Sequence, residues 1–174
     1  MTKFWLLIAS LVVVGAVLAQ PPVYTVTVYS YETWPIRLVA CHNFAVFSDG
    51  RSSVCISWFP VSGPRGFADI GEQAGKNLSL DETLKLAKDK RAAVRAHGPY
   101  VIDKALYDAA VTRERDLRTG RLKYVGINRP TCPDAMNCIA AVMDVLEPYH
   151  GWPGIGDVAA RSTVRHFRAH ILSK

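Results

Sequence analysis

Two short stretches of this sequence carry residue types that can do chemistry together. Cys41-His42-Asn43-Phe44 opens an apolar run, and Asn137-Cys138 opens a second one, Ile139-Ala140-Ala141-Val142. A thiol near the start of a helix sees the positive end of the helix dipole, which favours the thiolate, and a neighbouring imidazole takes the thiol proton. That pairing is the chemistry of a cysteine nucleophile with a histidine base. The candidate catalytic pair is therefore Cys138 and His42. Asp49 reads as a turn former.

The elements that must bring these residues together follow from periodicity. Residues 23–29 alternate β-branched and aromatic side chains, the pattern of a strand. Apolar residues 36–47 lead into the turn formers Ser48-Asp49-Gly50-Arg51-Ser52-Ser53 and out again through residues 54–59, which reads as an antiparallel hairpin. Prolines and glycines then predict a long surface loop over residues 60–78. Ser79-Leu80-Asp81-Glu82 is a capping box, so a helix starts at Leu80; Leu80, Leu84, Ala87 and Val94 mark its inner side, and Gly98-Pro99 ends it. A second helix spans residues 103–119 and ends at Gly120, with a short strand at 122–127 after it. A loop over 128–134 feeds a third helix with Pro133 in its first turn, and residues 157–172 form a last helix. For His42 and Cys138 to meet, the third helix must set its first turn over the strand of His42.

Four cysteines, Cys41, Cys55, Cys132 and Cys138, leave several pairings open. Two local disulfides, Cys132 with Cys138 and Cys41 with Cys55, would use every thiol and leave no nucleophile. A free Cys138 with one disulfide among the other three is the alternative. No metal motif is expected. His166 and His170 stand four apart on the last predicted helix but have no third ligand, and no cofactor is implied. His150 and Trp152 read as loop packing. Asn77-Leu78-Ser79 matches a glycosylation acceptor, while Ser79 already has its capping role.

The chain has 174 residues, 49% hydrophobic and 21% charged, an ordinary composition for a folded globule and wrong for a disordered chain. Lys3 followed by the uncharged run 4–19, ending Val17-Leu18-Ala19, reads as a signal peptide cut after Ala19; the alternative is a short membrane anchor. The reading is thus residues 1–19 for export and residues 20–174 as one α+β domain, periplasmic or extracellular. A net charge of +6 and a pI near 9.3 favour anionic partners, a cell-wall polymer or a membrane surface, and export argues against nucleic acid. The basic residues of 85–95, 113–123 and 161–168 read as solvated helix faces.

Taken in order, the histidine strand with its aromatic run (His42-Asn43-Phe44-Ala45-Val46-Phe47), the Ser-Asp-Gly turn, a second strand and, far downstream, Asn137-Cys138 opening an apolar helix resemble the circularly permuted papain-like thiol hydrolases, the lecithin retinol acyltransferase-like and bacterial amidase-like groups. The resemblance covers about residues 36–148. It implies a small antiparallel sheet packed against several helices, with Cys138 as nucleophile and His42 as its base. It further implies an exported hydrolase or acyltransferase acting on an amide or acyl bond of a wall peptide or a lipid. Where many members orient the base with a second histidine or another polar group on the next strand, this chain offers Ser57. The competing expectation is a non-catalytic, disulfide-stapled binding protein with a basic surface.

Overall fold

A computed structural model of the chain describes residues 21–32, 42–62, 71–126, 134–146 and 169. The expected export segment 1–19, the last helix over 157–172, His150, Trp152, His166, His170, Cys41 and Cys132 lie outside the described residues. Among the described residues no helix is long and apolar enough to cross a membrane.

The described elements form a mixed α+β arrangement of two small sheets and three helices. In chain order they are β1 (Thr25–Glu32), β2 (His42–Ser48), β3 (Ser53–Ile56), β4 (Trp58–Pro60), β5 (Gln73–Asn77), α1 (Leu80–Asp89), β6 (Ala93–Val101), α2 (Lys104–Arg118), β7 (Lys123–Tyr124), β8 (Ala135–Met136) and α3 (Cys138–Met143). The first sheet, ordered β3-β2-β1-β6, is antiparallel; the second, β4-β5-β7-β8, is closed by the parallel pair β7 and β8. The β2–β3 hairpin forms as its turn residues predict, with Asp49 Oδ1 accepting from the backbone of Arg51 and Ser52. The capping box at Ser79 and Glu82 forms in both directions.

Three expectations need correction. The helix begun at Leu80 ends at Asp89, because Arg91 takes a left-handed conformation (φ 52°) and turns the chain into β6, whose pairing with β1 claims the segment expected to stay helical. Tertiary pairing outweighs helix propensity there. The buried positions of α1 are Thr83 and Ala87, while Leu84 is exposed. Residues 60–78 are not all loop: β5 pairs with β4 although its sequence, Gln-Ala-Gly-Lys-Asn, has little strand propensity. The third helix begins at Cys138, with Asn137 as its cap, because Ala135 and Met136 are drawn into a strand beside β7.

The pleat of the first sheet sorts side chains into two cores. Val26 and Val28 of β1, Ala45 and Phe47 of β2, and Ile56 of β3 face α2 and α3, whereas Phe44 and Cys55 share the other face with Phe59, Leu78 and Ala87 of α1. Every residue of α3 is buried. On the far side of α2, Arg113 reaches Asp144, the cap at the other end of α3, at 3.0 Å, tying the two helices together.

The second sheet depends on a close approach. Trp58 is fully buried, its indole N–H donates to Met136 O at 3.1 Å, and its ring lies where a Cβ on Gly75 would fall. Gly75→Ala must overlap a ring that cannot move away, and it should cost about 1–3 kcal/mol. Gly71→Ala, with nothing within 4 Å of the added carbon, should stay within about 0.5 kcal/mol of wild type. Urea unfolding midpoints check both, and a Gly75→Ala midpoint equal to that of wild type would refute the interlock.

Candidate functional site

Ser57 occupies a one-residue break between β3 and β4, the point where the chain leaves the first sheet for the second. The break leaves backbone groups without strand partners, and Asn77 supplies them: its Oδ1 accepts from Ser57 N at 2.7 Å and its Nδ2 donates to Cys55 O at 2.7 Å. Leu78 N adds a bond to Ser57 O at 2.9 Å. The corner is thus rigid, and it holds the Ser57 side chain, fully buried, toward α1.

There Ser57 Oγ lies 3.0 Å from His42 Nε2 and 2.8 Å from Thr83 Oγ1. Thr83 Oγ1 is also 2.7 Å from the carbonyl of Ser79, one turn back along α1. The Thr83 hydroxyl donates to Ser57 Oγ and lies within reach of the Ser79 carbonyl as well, so Ser57 is held from the side of α1 while it bonds to the imidazole. The ring itself is clamped between aromatic faces, its centroid 3.7 Å from that of Phe59 and 5.8 Å from that of Phe44. Burial drives its pKa down to about 3, so His42 is a neutral imidazole throughout the physiological range.

Cys138 is a free, buried thiol at the first position of α3, and Cys55 is free as well. The local pairing of Cys132 with Cys138 and of Cys41 with Cys55 is therefore absent. Burial raises the Cys138 pKa, while backbone N–H groups of Asn43, Cys138 and Ile139 directed at the sulfur oppose that rise. Helix α3 packs on β2 from the face of Ala45 and Phe47, opposite the face that carries the His42 side chain.

Of the three predicted residues, His42 and Ser57 are directly bonded and Cys138 stands apart from them: alternation along β2 sends the His42 side chain to the face of Phe44 and the Asn43 side chain to the face of Ala45, which α3 covers. Thr83 and Asn77 were not among the sequence candidates. The i, i+4 spacing of Thr83 with Ala87 was the available signal for Thr83; nothing local marked Asn77. Among the described residues no group of three or more His, Cys, Asp or Glu side chains could hold a metal ion. No family model matches the sequence, and neither a curated protein nor a solved structure shows significant similarity to it.

Burial of neutral groups makes stability depend on pH in a definite way. His42, at about 3 in the folded chain against 6.5 for an ordinary imidazole, stabilises the fold above pH 6.5, and that contribution is lost as pH falls toward 3, by about 1.4 kcal/mol per unit. Cys138 and Cys55 have raised values, so their contribution is whole below 9.0 and declines as pH rises above it. Denaturant unfolding at a series of pH values should show a plateau between about pH 6.5 and 9. His42→Gln should flatten the acidic limb between pH 6 and 4.5, and an unchanged slope there would assign the limb to other groups.

Proposed function

We propose that this chain is a thiol-dependent hydrolase or acyltransferase of permuted papain-like type, with Cys138 as nucleophile, His42 as base and Ser57 as the residue that sets the imidazole tautomer. The observations that carry the reading are the free, buried Cys138 at the first position of α3, a helix packed on β2, and the 3.0 Å bond between His42 of β2 and Ser57.

In this mechanism the resting pair is a neutral thiol and a neutral imidazole. The thiol proton passes to the His42 imidazole by way of an intervening water, the two side chains lying on opposite faces of β2, as sulfur bonds to the substrate carbonyl carbon and the carbonyl π pair moves onto oxygen. Collapse of that adduct breaks the bond to the amine or alcohol, which leaves with the proton from His42, and a Cys138 thioester remains. Water or a second acceptor then releases the acyl group. The substrate class is an amide or ester of a wall peptide or a lipid acyl chain, met outside the cytoplasm once residues 1–19 have directed export. Exposed Lys85, Lys88 and Lys90 of the α1 region and Arg115 and Arg118 of α2 suit an anionic wall or membrane surface.

Incubating the full chain with 4-nitrophenyl acetate, an activated acyl donor, should place an acetyl group on Cys138, read by peptide mass mapping. His42→Ala should slow acetylation at least about a hundredfold, the usual scale of general-base assistance. Because His42 is neutral down to about 3, the rate should show no limb near pH 6.5. Absence of acetyl from Cys138, or an equal rate in folded His42→Ala, would overturn the reading in favour of a non-catalytic binding domain.

A further inference from the structure

Asn43 has no structural reason to be where it is. It lies on the face of β2 that carries Ala45 and Phe47, wholly apolar positions packed under α3, and it is fully buried. Neither its Oδ1 nor its Nδ2 has a hydrogen-bond partner among the described residues. An unsatisfied buried amide is destabilising, and nearly all such groups in native proteins find partners. An aliphatic side chain of similar size would relieve that cost. Cys138 opens the helix that covers this face of β2, so the Asn43 side chain and the thiol share one core.

We propose that the Asn43 side-chain amide is a catalytic donor that holds the oxyanion formed when Cys138 attacks a carbonyl, an inference that rests on the thiol-hydrolase reading above. As the S–C bond forms, the carbonyl π pair moves to oxygen, and an N–H of Asn43 Nδ2 donates to the new negative charge. When the adduct collapses to the thioester the pair returns, and the leaving amine or alcohol takes the proton held by His42. The donor is idle in the resting chain and used only at the tetrahedral stage, the arrangement in which a hydrogen bond lowers the barrier instead of tightening the ground state.

Alkylation and acylation of one thiol separate this role from the rest of the site. Iodoacetamide alkylates sulfur by displacement at a saturated carbon and forms no oxyanion, whereas 4-nitrophenyl acetate acylates through one. In Asn43→Leu, acetylation of Cys138 should fall about 10²–10³-fold, the scale of losing one oxyanion donor, while alkylation stays within about threefold of wild type. The thermal midpoint should not fall, since no bond among the described residues is lost. Asn43→Ala is the second variant, and its acetylation-to-alkylation ratio should drop in the same way. If both rates fall together, or neither falls, the amide is no oxyanion donor, although His42→Ala slowing both would still uphold the nucleophile and base. If both Asn43 variants unfold, the amide is a structural group and the proposal fails. No acetylation of wild-type Cys138 would overturn this inference and the hydrolase reading together.

Discussion

Only two hydrogen bonds from the side chain of Asn77 span the break at Ser57, yet the described structure on either side depends on them. One continuous segment, Ser53 to Pro60, serves as the edge of the first sheet and the start of the second, and the change of partner falls on a single residue. Without the Asn77 amide the change would leave a carbonyl and an N–H unpaired in a partly buried corner. With it, β3 can part from β2 at Ala45 and the chain can start the second sheet at Trp58. The same corner points Ser57 at His42 and Trp58 at Gly75. Site and core therefore share one origin.

Electrostatically the candidate site is unusual for its neutrality. The pull of burial on both His42 and Cys138 exceeds what nearby dipoles return, so neither group is charged at rest. The local N–H groups around the sulfur are fixed before any substrate arrives, and their benefit grows as charge develops in a water-excluded space. Such a site is quiet until a carbonyl enters it. The relay from Thr83 through Ser57 contributes orientation instead of charge, which is what a serine in place of a carboxylate can offer.

How far this was legible in the sequence differs by kind of signal. Local signals read well: the capping box at Ser79, the hairpin around Asp49 and the helix begun after Asp103 all follow from patterns a few residues long, whereas Ser57 as the partner of His42 came from the resemblance. Readings failed where distant pairing overrode local preference. Residues 93–97 continue a helical pattern but are claimed by β1, and residues 73–77 lack strand character but are claimed by β4 through the room Gly75 leaves for an indole ring. Asn43 was visible as a polar residue in an apolar strand, yet only the burial and register show that it has no partner among the described residues. The two-core pleat, which separates the His42 and Cys138 side chains, could not be read because it depends on which strand each helix covers.

The alternation along β2 and β3 also governs what oxidants can do to the protein. Cys55 opens onto the core beneath α1, while Cys138 belongs to the core beneath α3, so the first sheet stands between two free thiols. A disulfide needs Cα atoms within about 7 Å and side chains that converge, and a sheet between them forbids the second condition whatever the redox poise outside. Cys55 is further protected because burial and the nearby Glu114 push its pKa up to about 12, leaving almost no thiolate to start exchange. Cys55 and Cys138 therefore cannot bond to each other, with the backbone acting as the insulator between them.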